Sequence, residues 1–421
     1  MSAEPPEGRR AQGEGPPLPG RPLVEGPPAA EDAMTAFLAA VEAGDPTRLV
    51  RDHVRTGALD DWFGDRERPR MIHVLAIGKA APRMVWGLVE ASVPFRGFGV
   101  AAPGLRMPAI DTFTWRRGDH PVPGDASLAA GEELLAWVDA LPAGAPVLVL
   151  VSGGGSACVE APAEGVARDV LTASWRRWSR EGLPIGQLNA RRARLSSLKA
   201  GGLGRRLLAR TPRVRVWVLA DTPPGDAPAT VASGPCHVEP PEHIPHTVLA
   251  DNDVLVEAAG AHLAALGWSV YRHARRMDGD AREETEVFLS ALAGLEPPAA
   301  LVGGGEPVVP VPEDAPAGGR CHHAALVATR WLARGDTAAV FLAGTSDGVD
   351  GGTGATGAWT DGSGWDTEAA RALAGHAAHR WLAARGRSFD LGATGTNLND
   401  VFVALRPASP GHGHRPPARR R

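Results

Sequence analysis

The residues best suited to chemistry in this chain are a triple glycine, two lysines and a scatter of aspartates at the ends of apolar runs. In "VLVLVSGGGS", residues 147–156, a buried-looking run gives way to Ser152, Gly153, Gly154, Gly155 and Ser156. Consecutive glycines at a helix start bare their N–H groups and can cradle a phosphate or a carboxylate. A tight turn before a helix accounts for the same residues equally well. No Gly-Lys-Ser/Thr follows, so the segment is not a Walker A loop, and it is not a dinucleotide fingerprint either. Of the 44 basic residues, only Lys79 and Lys199 are lysine, and both stand beside glycines in "AIGKAA" and "SSLKAGGLG". A chain that otherwise writes its positive charge as arginine has a use for a compact ammonium at those two places. Lys79, directly after the run 72–77, is placed to neutralise a transferring phosphoryl group or a substrate carboxylate.

The segment 188–207 adds Asn189, Arg191, Ser196 and Lys199 around a helix start, a set suited to an anion, or equally to a cationic surface helix. Asp221 and Asp226 bracket a proline-rich turn, and Asp347 and Asp350 stand three apart in "SDGVDGG". Aspartates between glycines at strand ends suit a divalent metal or a general base for a hydroxyl; Asx turns explain each one singly. Arg320 closes a glycine loop before a helix, in position for bidentate anion binding. His322 and His323 beside it lack spaced ligand partners and read as surface or capping residues. The polar turn "GATGTNLNDV" offers Thr394, Thr396, Asn397 and Asn399 to a hydroxyl or carboxylate, or as helix caps. Together these groups point to transfer of a phosphoryl group onto a small, hydroxylated, anionic acceptor.

Five apolar runs position these groups: 72–77, 147–151, 214–219, 299–302 and 338–343, each ending in glycine or a polar residue. Uninterrupted apolar runs separated by helical stretches such as 125–141 and 252–268 indicate parallel strands buried on both faces. The chain is therefore α/β, and in such sheets ligands sit beyond the carboxyl ends of the strands. At 421 residues it is too long for one ordinary core. A boundary is expected near 275–297, giving units at 31–280 and 297–405 between disordered tails at 1–30 and 406–421. No run of about 18 apolar residues and no secretory leader is present, so neither a membrane span nor export is expected. Cys158, Cys236 and Cys321 have no paired or metal-like spacing, which suits a reducing cytoplasm. The net charge of −4, without a basic stripe inside the folded region, makes nucleic acid an unsuitable partner.

The order of "AIGKAA", "GDHPVP", "VSGGGSA", "LNARRARLSSLKAGGLG", "ADTPPGD" with "ASGP", "GGGEPVV", "GGR", "SDGVDGG" and "ATGTNLND" resembles the glycerate 2-kinases of the MOFRL type, some of which carry the name hydroxypyruvate reductase. The resemblance spans roughly residues 34–405. It implies a Rossmann-like N-terminal domain, a smaller α/β C-terminal domain and an active site in the cleft between them. It also implies ATP-dependent phosphorylation of D-glycerate at the 2-hydroxyl with Mg²⁺ or another divalent cation. By motif, the catalytic lysine falls on Lys79, the catalytic arginine on Arg320 and an acidic catalytic position on Asp221. The phosphate or substrate loop falls on Ser152 to Ser156 and a further acidic position on Asp347; Asn189, Arg191, Lys199, Thr396 and Asn397, read from the residues themselves, join them as expected nucleotide- or substrate-binding groups. The metal ligands are left open, and association into a homodimer is allowed. Where the family continues Gly-Gly-Arg with Asn-Gln-Glu, this chain has Cys321, His322 and His323. Ala220, Gly124, Ser346 and Ala393 are further departures, so a related hydroxy acid, or a protein that binds without turnover, stands beside the glycerate reading. A nicotinamide-linked reductase lacks its phosphate fingerprint in this sequence.

Overall fold

The structure, a computed structural model, describes residues 25–63, 71–180, 185–223, 225, 227–240, 243–312, 315–335 and 337–408. Of the tails expected at 1–30 and 406–421, residues 1–24 and 409–421 lie outside the described residues, as does Asp226. Among the described residues, twelve strands form two six-stranded sheets.

The first sheet holds β1 (Ile72–Ile77), β2 (Phe95–Ala101), β3 (Phe113–Arg117), β4 (Val147–Ser152), β5 (Val214–Leu219) and β6 (His246–Ala250). Their order is β3-β2-β1-β4-β5-β6, and every neighbouring pair is parallel. This is the doubly wound arrangement of a Rossmann-like sheet, in which the strand order reverses between β1 and β4. Crossovers leave from opposite sides there and open a crevice at the carboxyl ends. Lys79 follows β1 and the triple glycine follows β4, so both border that crevice. The apolar runs exist because β1, β4 and β5 are covered on both faces; every residue of β4 is buried.

The second sheet holds β7 (Ser269–Arg272), β8 (Ala299–Gly305), β9 (Val340–Thr345), β10 (Gly357–Thr360), β11 (Ser388–Phe389) and β12 (Asp400–Arg406), in the order β11-β10-β9-β12-β8-β7. Only β7 and β8 pair in parallel. The runs at 299 and 338, expected as parallel strands, are separated by β12, which is antiparallel to both. A strand buried on both faces has the same apolar signature whichever way its neighbour runs. β6 is the last strand of the first sheet and β7 already pairs in the second, so the chain changes sheet between Ala250 and Ser269. That point precedes the Pro297–Pro298 turn.

The helix Pro28–Ala43 begins within the stretch expected to be disordered, with proline in its first turn where no N–H partner is needed. It packs on the helix Asn252–Ala265, and both lie on the second sheet. One apolar cluster includes Phe37, Leu150 and Trp217 as well as Val302, Leu342 and Val403, tying the two sheets into a shared core. Asn252 donates from Nδ2 to the carbonyls of Leu398 (2.7 Å) and Asp400 (3.0 Å), fixing the polar turn that precedes β12. No helix among the described residues is long and apolar enough to cross a membrane.

Candidate active site

The cleft is built first by the two turns at the switch point. Gly78 has φ +116°, and a Cβ on it would fall 2.5 Å from the carbonyl and hydroxyl oxygens of Ser152. Lys79 N–H donates to the carbonyl of Gly153 (2.9 Å), and Ala80 N–H donates to Ser152 Oγ (3.0 Å), so the two loops are stitched together beneath the cleft. The triple glycine then has a specific cause. A Cβ on Gly153 would meet Asp221 Oδ2 and Asn397 Nδ2, at 1.9 and 2.1 Å. One on Gly154, at φ +80°, would press on the Lys79 side chain at 2.9 Å. The helix that follows, Gly155–Cys158, is a single turn, so close packing of side chains explains the glycines before any helix dipole does. What comes near that backbone is the side chains of Asp221, Asn397 and Lys79.

Two loops of the second sheet complete the floor. After β9, Asp347 accepts from Lys79 Nζ at 3.1 Å, and its other oxygen takes Thr345 Oγ1 (3.0 Å) and Val349 N–H (3.1 Å). Before β12, Asn397 Nδ2 donates to Asp221 Oδ2 (2.9 Å) and Asn399 Nδ2 to the Asp221 carbonyl (2.7 Å). Burial pushes the Asp221 carboxyl up to about 6, against the opposing pull of its hydrogen bonds and of Lys79. His120, held beside Lys79, is pushed down to about 4 by burial and by that ammonium, so it is a neutral imidazole at physiological pH.

Arg320 opens the helix Arg320–Arg334. Its Nε and one terminal nitrogen grip both oxygens of the buried Asp400, the latter at 3.0 Å, while Nη1 reaches Glu306 Oε1 at 3.1 Å. Burial works against its charge, but Asp400 and then Glu306 outweigh it and raise the guanidinium above its ordinary range. Glu306 is itself pushed up by burial, with Asp400 and Asp221 adding to the rise. Arg276 pairs with Asp278 at 2.9 Å, and Asp278 receives the Glu306 N–H at 2.8 Å.

These groups border a cleft of about 1260 Å³ between the sheets, lined from the first by His120, Gly154, Ser156, Asn189 and Asp221 and from the second by Glu306, Arg320, His323 and Asn399. Lys79, Asp347 and Asn397 adjoin this floor through the contacts above. Ser152, Gly153 and Gly155 brace it from below. Thr396 is buried away from the cleft wall, its N–H on Thr394 Oγ1.

Several expectations change. Lys199 does not reach the cleft: it is buried, and its Nζ lies 2.8 Å from Glu160 Oε2. Its glycines serve backbone packing; a Cβ on Gly202 would strike the Ser197 carbonyl. In the same segment the cleft-lining arginine is Arg192 and not Arg191, because the helix Ile185–Leu195 turns the former inward. His322 is no surface residue. It is fully buried, with Nδ1 2.6 Å from Asp350 Oδ2 and Nε2 2.8 Å from Ser388 Oγ. Asp350 also accepts the N–H groups of Cys321 and His322, so it caps the helix and leaves Asp347 alone at the floor. Glu306 was legible as another polar residue ending an apolar run; Arg276 and Asp278 lie in an irregular segment and carry no such signal.

A doubly wound sheet whose switch-point lysine is met by an arginine and aspartates from a second sheet defines a two-lobed α/β protein with a cleft for anionic ligands. The chain belongs to the family described as Domain of unknown function (DUF4147), matched over residues 32–255, and residues 299–400 match the MOFRL family. It is 29% identical to the D-glycerate 2-kinase of Thermotoga maritima, over 87% of this chain and 95% of that one. It is 26% identical to the glycerate 2-kinase of Pyrococcus horikoshii, over 87% and 94% of the two chains. A crystal structure titled as the glycerate kinase of Thermotoga maritima superposes with a TM-score of 0.76 at 26% identity, covering 90% of this chain and all of that one.

Proposed function

We propose that this protein is an ATP-dependent kinase that phosphorylates D-glycerate to 2-phosphoglycerate in the cytoplasm. The observation that carries the reading is the convergence of Lys79 from one lobe and Arg320 from the other on a cleft floor holding Asp221. The 2-hydroxyl oxygen attacks the γ-phosphorus, the bond from that phosphorus to the ADP oxygen breaks, and the hydroxyl proton passes to Asp221. Asp221 suits that role because its carboxyl, near 6, is ionised at neutral pH yet basic enough to take a proton as the bond forms. Asn397 and Asn399 orient it. Lys79 and Arg320 supply fixed positive charge to the transferring oxygens, in a site where cation and oxygen need no rearrangement at the moment of transfer. Neutral His120 keeps a second cation away from Lys79 and leaves the ammonium available.

The residues fit a hard divalent cation. Glu306 lines the cleft with Asp221, and its carboxyl, pushed up by burial and by Asp400 and Asp221 against the pull of Arg320, is stabilised in its ionised form by a further cation. Magnesium takes one or two carboxylates beside substrate phosphates. Glu306 would hold it, and the ion would neutralise the nucleotide phosphates, leaving Asp221 to the hydroxyl proton.

The test is formation of ADP by purified protein with ATP and magnesium, with and without D-glycerate, and ³¹P NMR of the product. Glycerate-dependent ADP with 2-phosphoglycerate is the expected result, abolished by a chelator. A folded protein that binds ATP yet releases no ADP on adding glycerate refutes the reading.

A further inference from the structure

One cation of the cleft stands apart from the group around Asp221. Arg192 lies on the first-lobe wall with its guanidinium carbon 3.7 Å from the centre of the Trp175 ring. Stacking fixes the plane of the fork and leaves its edge to the cleft. Its hydrogen bonding is far from satisfied. Nη1 makes one long bond, 3.4 Å, to Asn189 Oδ1, and Nε is buried with no partner. Arg192 makes no ion pair with a described residue. The neighbouring buried carboxylate, Glu160, is already taken by Lys199 (2.8 Å), by Ser196 Oγ and by the N–H of Ala161 (3.0 Å). Burial lowers the guanidinium to about 10, against an opposing pull from Glu160 that does not offset it.

The surroundings specify the missing anion. Ser156 Oγ contacts Ser233 Oγ at 2.5 Å, and Ser233 Oγ donates to Asn189 Oδ1 at 3.0 Å. This neutral row of hydroxyls and an amide beside one stacked arginine suits a singly charged carboxylate next to a hydroxylated carbon. A polyphosphate needs several cations, and Lys79, Arg276 and Arg320 supply them around Asp221 and Glu306. We propose that Arg192 is the carboxylate clamp of this cleft and determines its preference for hydroxy acids over neutral polyols. The inference rests on the kinase reading and deepens it by naming the residue that takes the acid group.

The experiment compares wild type with Arg192→Gln and Arg192→Lys, the latter keeping the charge and stem but not the fork. For a carboxylate clamp, Arg192→Gln raises KM for D-glycerate about 100-fold and Arg192→Lys about 10-fold, with KM for ATP unchanged. Glycerol, which lacks the carboxylate, reacts poorly and equally with all three proteins. A rise in KM for ATP instead assigns the arginine to a nucleotide phosphate and overturns the proposal, as does an unchanged KM for both. If wild type shows no turnover of glycerate, the kinase reading falls separately, and calorimetric binding of D-glycerate decides the clamp. Binding lost in Arg192→Gln, with ATP binding retained, upholds it; no binding of the acid to wild type overturns it.

Discussion

Replacing Asp221 by Asn should make the protein more stable at neutral pH while it loses its activity. The carboxyl is raised from 3.8 to about 6 because it is held at the bottom of the cleft, among protein atoms. A shift of about two units corresponds to about 3 kcal/mol of cost for the ionised form. Water in the cleft softens this, and about 1–3 kcal/mol is the range expected. The sign follows from proton binding: the folded protein keeps this proton more tightly than the unfolded chain. The contribution of this group to stability is therefore most favourable below about pH 4, declines as pH rises through the window from 3.8 to about 6, and stays lower above it. Asn is isosteric and its amide oxygen still accepts from Asn397, so only the charge is removed. Urea unfolding of both proteins at about pH 4.5 and about pH 8 isolates the effect, because all other titrations cancel in the difference. Asp221→Asn should gain about 1–3 kcal/mol on wild type between the two conditions. The same substitution should lower kcat about 100-fold or more and abolish the rising limb of the wild-type pH profile near 6. A stability difference that does not change with pH refutes the burdened carboxylate; wild-type kcat refutes the base.

Lys79→Ala should lower kcat about 100-fold or more, the scale of a lost electrostatic stabiliser, with the fold kept, since Asp347 retains its bonds from Thr345 and Val349. Turnover near that of wild type removes Lys79 from the mechanism. Lys199→Met should cost about 3–5 kcal/mol by stranding the buried Glu160 carboxylate, and adding Glu160→Met should recover most of it in a melting experiment. Lost turnover without lost stability in the single variant would return Lys199 to the chemistry. Cys158 and Cys236 are buried, with thiols pushed up to about 12, and Cys321 is buried and raised as well. None should react with iodoacetamide at about pH 8 until the chain is unfolded, which mass spectrometry reads directly; fast labelling of the native protein contradicts the packing.

The two lysines show where a sequence stops informing. Both stand beside glycines, both break an otherwise all-arginine habit, and nothing local separates them. Their fates are decided by partners remote in the chain: Asp347, 268 residues on, brings Lys79 to the cleft floor. Glu160 draws Lys199 into the interior. The glycines mislead in a related way. A missing Cβ is equally apt for a phosphate and for a close-packed carboxylate, and only the positions of Asp221 and Asn397 show which neighbour Gly153 admits. Strand-end chemistry was legible because the central strands β1, β4 and β5 of a parallel sheet, buried on both faces, each leave an apolar run and bring their ligands to one edge, whereas β3 and β6, partly exposed, leave none. Which of Arg191 and Arg192 faces that edge depends on the rotation of one helix, about 100° per residue, a phase that a run of arginines with no apolar stripe does not record. The arginine turned inward shares Glu160 only electrostatically, because that carboxylate is paired with Lys199. The placing of its fork at the cleft wall arises only when helix phase, the Trp175 ring and the Lys199–Glu160 pair are assembled together.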